Sequence, residues 1–63
     1  MKNQNDMKSH RISKKLSMKE LSLKTGISER YLYFIENGEK TPSLKTAKKI
    51  SSALDTTMDS IFF

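Results

Sequence analysis

Between Ser17 and Gly38 the chain carries two helix starts and two helix stops in quick succession. Ser17 with Glu20 three residues on is a capping box: the hydroxyl takes an orphan backbone N–H, and the carboxylate reaches back to the cap. Gly26 ends that helix, because glycine adopts the left-handed conformation cheaply. Ser28 then caps again, and Glu29 in the following turn suits the positive end of the helix dipole. Asn37-Gly38 is the second stop. The spacing predicts a helix over 18–25, a tight turn plugged by Ile27, and a second helix ending at Gly38. Leu21 faces the core and Ser22 the next helix. Leu32 and Ile35 form an inward stripe, while Arg30, Phe34 and Asn37, at i, i+4 and i+7, form a second stripe on another face.

Other helices are expected on both sides. Met7, Ile12 and Leu16 mark a first helix over 7–15, preceded by a polar and flexible segment, 1–6. Pro42 forbids a helix through 39–42 and biases Thr41 toward extended geometry. Ser43 caps a helix over 44–54, in which Leu44, Ala47, Ile50 and Leu54 recur on one side. Thr57 caps a last short helix over 58–62, with Met58, Ile61 and Phe62 turned inward. No strand pattern appears. The expectation is an all-α fold, a compact bundle of about five short helices forming one domain over 7–63.

Two short helices joined by so tight a turn form a helix-turn-helix unit, whose second helix can lie in a DNA major groove. Charge bears on the partner. The formal net charge is +5. Through Tyr31 eight Lys/Arg face three acids, whereas from Leu32 onward four face four, so the excess lies in the first half. A basic half on a domain of 63 residues points to a polyanion partner, although lysines that merely keep a surface soluble give the same count. Cysteine is absent, which excludes disulfides and thiolate metal sites and suits a reducing, cytoplasmic setting. No apolar run approaches the ~18 residues of a membrane span, and residues 1–6 lead into none that would make a signal peptide.

Several spaced elements bear a specific resemblance. Arg11, Leu16-Ser17, Glu20-Leu21, Gly26-Ile27-Ser28, Ile35-Glu36-Asn37-Gly38, Pro42-Ser43-Leu44, Ile50, Ala53-Leu54 and Ile61-Phe62 follow in register. Over 11–62 the chain resembles the Cro/C1-type (lambda-repressor-like, XRE-family) helix-turn-helix DNA-binding domains. That resemblance implies a five-helix bundle whose second and third helices engage DNA, acting as a dimer on a palindromic operator.

By that resemblance Ser28, Glu29, Arg30 and Phe34 are the base-reading residues. Arg30 can fork onto guanine O6 and N7, and Glu29 can accept from cytosine N4. Phe34 stands where the family often has glutamine. A phenyl ring can pack on a thymine methyl, or it can be an exposed aromatic anchored on Arg30 or the core. Tyr31, Asn37, Lys40 and Thr41 occupy positions resembling phosphate contacts; Met18, Lys19, which extends the basic face, and Tyr33, which stands where the family often has a small residue, are candidates with them. Met18 replaces a usual glutamine and cannot hydrogen-bond a phosphate through its side chain. Tyr33 can reach DNA or cover the loop. Arg11 and Glu36 match a pair that forms an internal ion pair in relatives.

The single histidine, His10, lies among polar residues, and neither metal-ligand spacing nor a phosphate-binding glycine loop occurs, so neither enzyme activity nor a metal or other cofactor is expected. The apolar run Ile61-Phe62-Phe63, with Met58, is a candidate self-association patch; alternatively Phe63 folds back onto the core. The expected function is a sequence-specific transcriptional regulator of double-stranded DNA, a repressor acting as a homodimer. Two other readings are an antitoxin-type autoregulator with a regulatory protein partner, and a protein-interaction module that does not read DNA.

Overall fold

The computed structural model describes residues 5–62. Five helices follow one another: α1 (Met7–Ser13), α2 (Met18–Thr25), α3 (Glu29–Glu36), α4 (Leu44–Ala53) and α5 (Met58–Phe62). Among the described residues there is no strand. None of these helices is long and apolar enough to cross a membrane.

The starts are set by hydroxyl caps. Ser17 accepts from Glu20 N at 3.0 Å, and Glu20 Oε1 accepts from Ser17 N at 2.8 Å, closing the capping box. Ser28 and Ser43 accept from Tyr31 N and Thr46 N, each at 3.2 Å. The stops fall into two kinds. Gly26, at φ +74°, ends α2 directly. At α1, α3 and α4 the chain instead makes a Schellman turn, with a left-handed residue one past the cap. In α3 that residue is Gly38, with Glu39 N donating to Phe34 O at 2.8 Å. In α1 it is Lys15, with Leu16 N donating to Arg11 O, and in α4 it is Asp55, with Thr56 N donating to Ser51 O. Hence α1 stops at Ser13 rather than at 15, and α4 at Ala53 rather than at 54.

Met7, Met18, Leu21, Leu32, Ile35, Ile50, Leu54 and Ile61 form the core, with Leu16, Ile27, Tyr31, Ala53 and Phe62 packed around it. Two expected core markers lie outside it. Ile12 is 56% exposed, because it stands about 140° round α1 from Met7. Leu44 is 63% exposed, standing about 90° from the line of Ala47, Ile50 and Leu54.

The segment expected to be flexible includes Asn5 and Asp6, and both are bonded into the bundle. Asn5 Nδ2 donates to Ile35 O at 2.9 Å, and Asp6 N donates to Ile61 O at 2.9 Å. The remainder of that segment, 1–4, lies outside the described residues.

Candidate nucleic-acid interface

The buried side of α3 is narrow. Leu32 and Ile35 are fully buried, and they press the helix onto α2, its main packing partner. At 100° per residue the opposite side carries Arg30 and Asn37 along its centre, flanked by Tyr33 and Phe34. Arg30, Tyr33 and Asn37 are exposed and Phe34 is half-buried. The Arg30 guanidinium carbon lies 6.0 Å from the centre of the Phe34 ring, so a cation rests over an aromatic face one turn away. Phe34 is therefore anchored on Arg30, and the pair presents a charged fork beside an apolar edge.

Ser28 and Glu29 stand exposed at the start of α3. The Ser28 oxygen already serves Tyr31 N as the cap, which leaves its hydroxyl proton to donate outward. The turn that projects this helix is fixed from below. Thr25, buried, donates to Leu21 O at 2.9 Å and accepts from Ile27 N at 3.2 Å, and Ser22 Oγ donates to Ile27 O. Sequence reasoning passed over Thr25, although its i+4 spacing from Leu21 places it on the inward side of α2.

The other end of α3 is held by an ion pair. Arg11 Nε and Nη2 donate to Glu36 Oε2 and Oε1 at 3.0 and 3.2 Å, and Nη1 donates to Leu16 O at 2.8 Å. The two side chains are 14% and 6% exposed. The hydrogen bond to Glu36 raises the Arg11 pKa above its ordinary value. Burial opposes this, and Coulomb attraction to Glu36 and Tyr33 adds to it. Among the described residues no buried side-chain nitrogen or oxygen lacks a hydrogen-bond partner.

The positions assigned to a phosphate clamp behave unevenly. Lys19, Lys40 and Thr41 are exposed, and Tyr31 is half-buried against the core. The Met18 side chain is 4% exposed and belongs to the core, so a phosphate contact by that side chain is ruled out and only its backbone N–H, at the start of α2, is left to offer. Its place three residues before Leu21, on the same side of α2, is the signal that could have shown this. The Glu20 carboxylate occupies the amide end of α2 through Ser17 N, where an anion would otherwise fit. Asn37 Nδ2 faces Glu39 Oε2 at 3.4 Å, which brings a carboxylate to that edge of the clamp.

Of the proposed self-association residues, Ile61 is also a correction. It is 2% exposed and committed to the core, so it cannot meet a second chain in this fold. Met58 and Phe62 are half-buried on α5, and Phe63 lies outside the described residues. Among the described residues no three His, Asp or Glu side chains gather as a metal-binding group.

A helix-turn-helix family model matches residues 7–61, nearly the whole described chain. The chain belongs to the Cro/C1-type helix-turn-helix family. The crystal structure of the restriction-modification controller protein C.AhdI from Aeromonas hydrophila is similar to this Cro/C1-type domain. The TM-score is 0.81 at 28% identity, over 86% of this chain and 82% of that one. No curated protein matches the chain significantly. As a Cro/C1-type domain with a regulator for a structural neighbour, it is a DNA-binding transcriptional regulator.

Proposed function

We propose that this Cro/C1-type protein is a repressor that binds a palindromic operator as a homodimer, with α3 of each copy in a major groove. The observation that carries this reading is the outward side of α3, where Arg30 and Phe34 form a coupled pair beside the exposed Ser28 and Glu29. Arg30 reads guanine, Glu29 reads a cytosine amine, and Ser28 and Phe34 complete the base contacts. Lys19, Tyr31, Tyr33, Asn37, Lys40 and Thr41 set the helix on the backbone, and the basic first half supplies the long-range attraction. Self-association runs through the α5 end, with Met58, Phe62 and Phe63 in contact and Ile61 holding α5 to the core.

Selection of bound sequences from a random DNA pool tests this. Two inverted half-sites about 34 Å apart, roughly one helical turn centre to centre, are expected. Enrichment of a single unrepeated site would remove the palindrome, and no enrichment would remove sequence reading altogether. Deleting Phe63 should weaken the dimer in sedimentation while the helical content stays; an unchanged oligomer refutes that interface.

The likeness to a restriction-modification controller favours one further reading, in which the regulated genes belong to a restriction-modification system. Transcription in vitro from the selected operator, with and without the protein, gives the sign of regulation. Increased transcript would replace the repressor reading with an activator.

A further inference from the structure

The dipeptide Asn5-Asp6 touches the C-terminal ends of two helices at once. Asn5 Nδ2 donates to the Ile35 carbonyl in the last turn of α3, at 2.9 Å. Its Oδ1 accepts from Met7 N at 3.0 Å, at the start of α1. Asp6 N donates to the Ile61 carbonyl of α5 at 2.9 Å, and the next residue, Met7, is fully buried. The backbone here is thus pinned to α5 and to the core, and the Asn5 amide reaches from it to α3. The Ile35 carbonyl also accepts from Gly38 N at 3.0 Å, so Asn5 adds to the donors it already has at the end of α3.

We propose that Asn5 is a positioning residue for the reading helix. It acts through the Ile35 carbonyl to set the tilt of α3 against α1 and α5, and hence the angle at which Arg30 and Phe34 enter the groove. The chemistry is specific to an amide. Serine or aspartate at this position can still accept from Met7 N, but neither carries the NH2 group that Ile35 receives. The Arg11–Glu36 pair ties the same end of α3 by a separate route, so losing the Asn5 bond shifts the helix rather than unfolding it. The effect on DNA selection rests on the proposal that α3 reads DNA; the effect on α3 itself does not.

The test uses the full chain and the variants Asn5→Ser and Asn5→Asp. Two quantities are read: the amide resonances of Gly38 and Glu39, and the ratio of affinities for the selected operator and a scrambled duplex at one salt concentration. Both variants should move the Gly38 resonance and lower the ratio measurably, by at most about tenfold, since one neutral hydrogen bond bounds what the changed tilt can transmit. Asn5→Asp adds a negative charge that weakens every duplex alike, which is why the ratio is the readout. An unmoved Gly38 resonance, or an unchanged ratio in both variants, overturns the proposal and leaves Asn5 as a cap for α1. Should the unaltered protein prefer no sequence, the DNA-reading proposal fails, and the Gly38 resonance alone decides whether Asn5 positions α3.

Discussion

Replacing Arg11 by alanine should cost a large share of the stability of the fold. The guanidinium meets Glu36 through two hydrogen bonds and gives a third to Leu16 O, and the Glu36 side chain is only 6% exposed. Removing the arginine leaves a nearly buried carboxylate without its cation at the last residue of α3, where the helix dipole disfavours a negative charge. Breaking one side of such a pair costs about 3–5 kcal/mol. A domain of this length has only about 3–9 kcal/mol in total, at roughly 0.05–0.15 kcal/mol per residue. Urea denaturation followed by circular dichroism should therefore find the unfolding free energy of Arg11→Ala lowered by about 3–5 kcal/mol, a third or more of the total. Arg11→Lys keeps the charge but cannot present the planar fork to Glu36 and Leu16 together, so it should fall between the two. A loss below about 1 kcal/mol for Arg11→Ala would place the pair among solvated surface bridges and contradict its role as a buried tie.

Three other outcomes follow from single features. Lys15→Gly should stabilise the fold by roughly 0.5–1 kcal/mol in thermal melts, because Lys15 holds φ 58° at a position that favours glycine; no gain would mean that Lys15 contributes a contact offsetting the strain. The Glu20 pKa is lowered, chiefly by the backbone N–H of Ser17 and then by the Ser17 side chain and Lys24. Its folded value lies below its unfolded one, so the stabilisation is present above about pH 4 and is lost as pH falls through the folded value; Glu20→Gln should remove that part of the acid-side slope, and an unaltered slope would count against it. Arg30→Ala should relax preference at one base pair, costing about 1–3 kcal/mol on the selected site and little on random DNA, whereas equal loss on both would make Arg30 a phosphate contact.

How much of this could be read in advance depends on the range of the interaction. The bounds of α2, Met18–Thr25, rest on Ser17, Glu20 and Gly26, all within one turn of its ends, and sequence reasoning places them there. The start of α5 at Met58 follows Thr57 in the same way. The ends of α1 and α4 run one or two residues short of expectation because Lys15 and Asp55 take the left-handed role without being glycine. Periodicity identified Leu32 and Ile35 but also counted Ile12 and Leu44, since spacing alone does not say which side a neighbour covers.

The candidate site was legible unevenly for the same reason. Arg30, Phe34 and Asn37 fall on one side of a helix by counting alone. Met18 was assigned to the surface from its position relative to a family pattern, and its partners in the core, Ile50 and Leu54 among them, are far along the chain. Asn5 shows locally only a side chain able to accept from Met7 N at the start of α1. Its role depends on a hydrogen bond to a carbonyl thirty residues away, which only the assembled bundle brings into reach.

Whether α3 reads DNA sequence through Arg30 and its neighbours is decided by salt-titrated binding. The selected operator and a scrambled duplex of equal length are compared across a range of salt concentrations. The operator should be preferred by about 10³-fold or more, and affinity for both should fall steeply with salt as phosphate counterions are released. Equal affinity for the two duplexes at every salt concentration would contradict it.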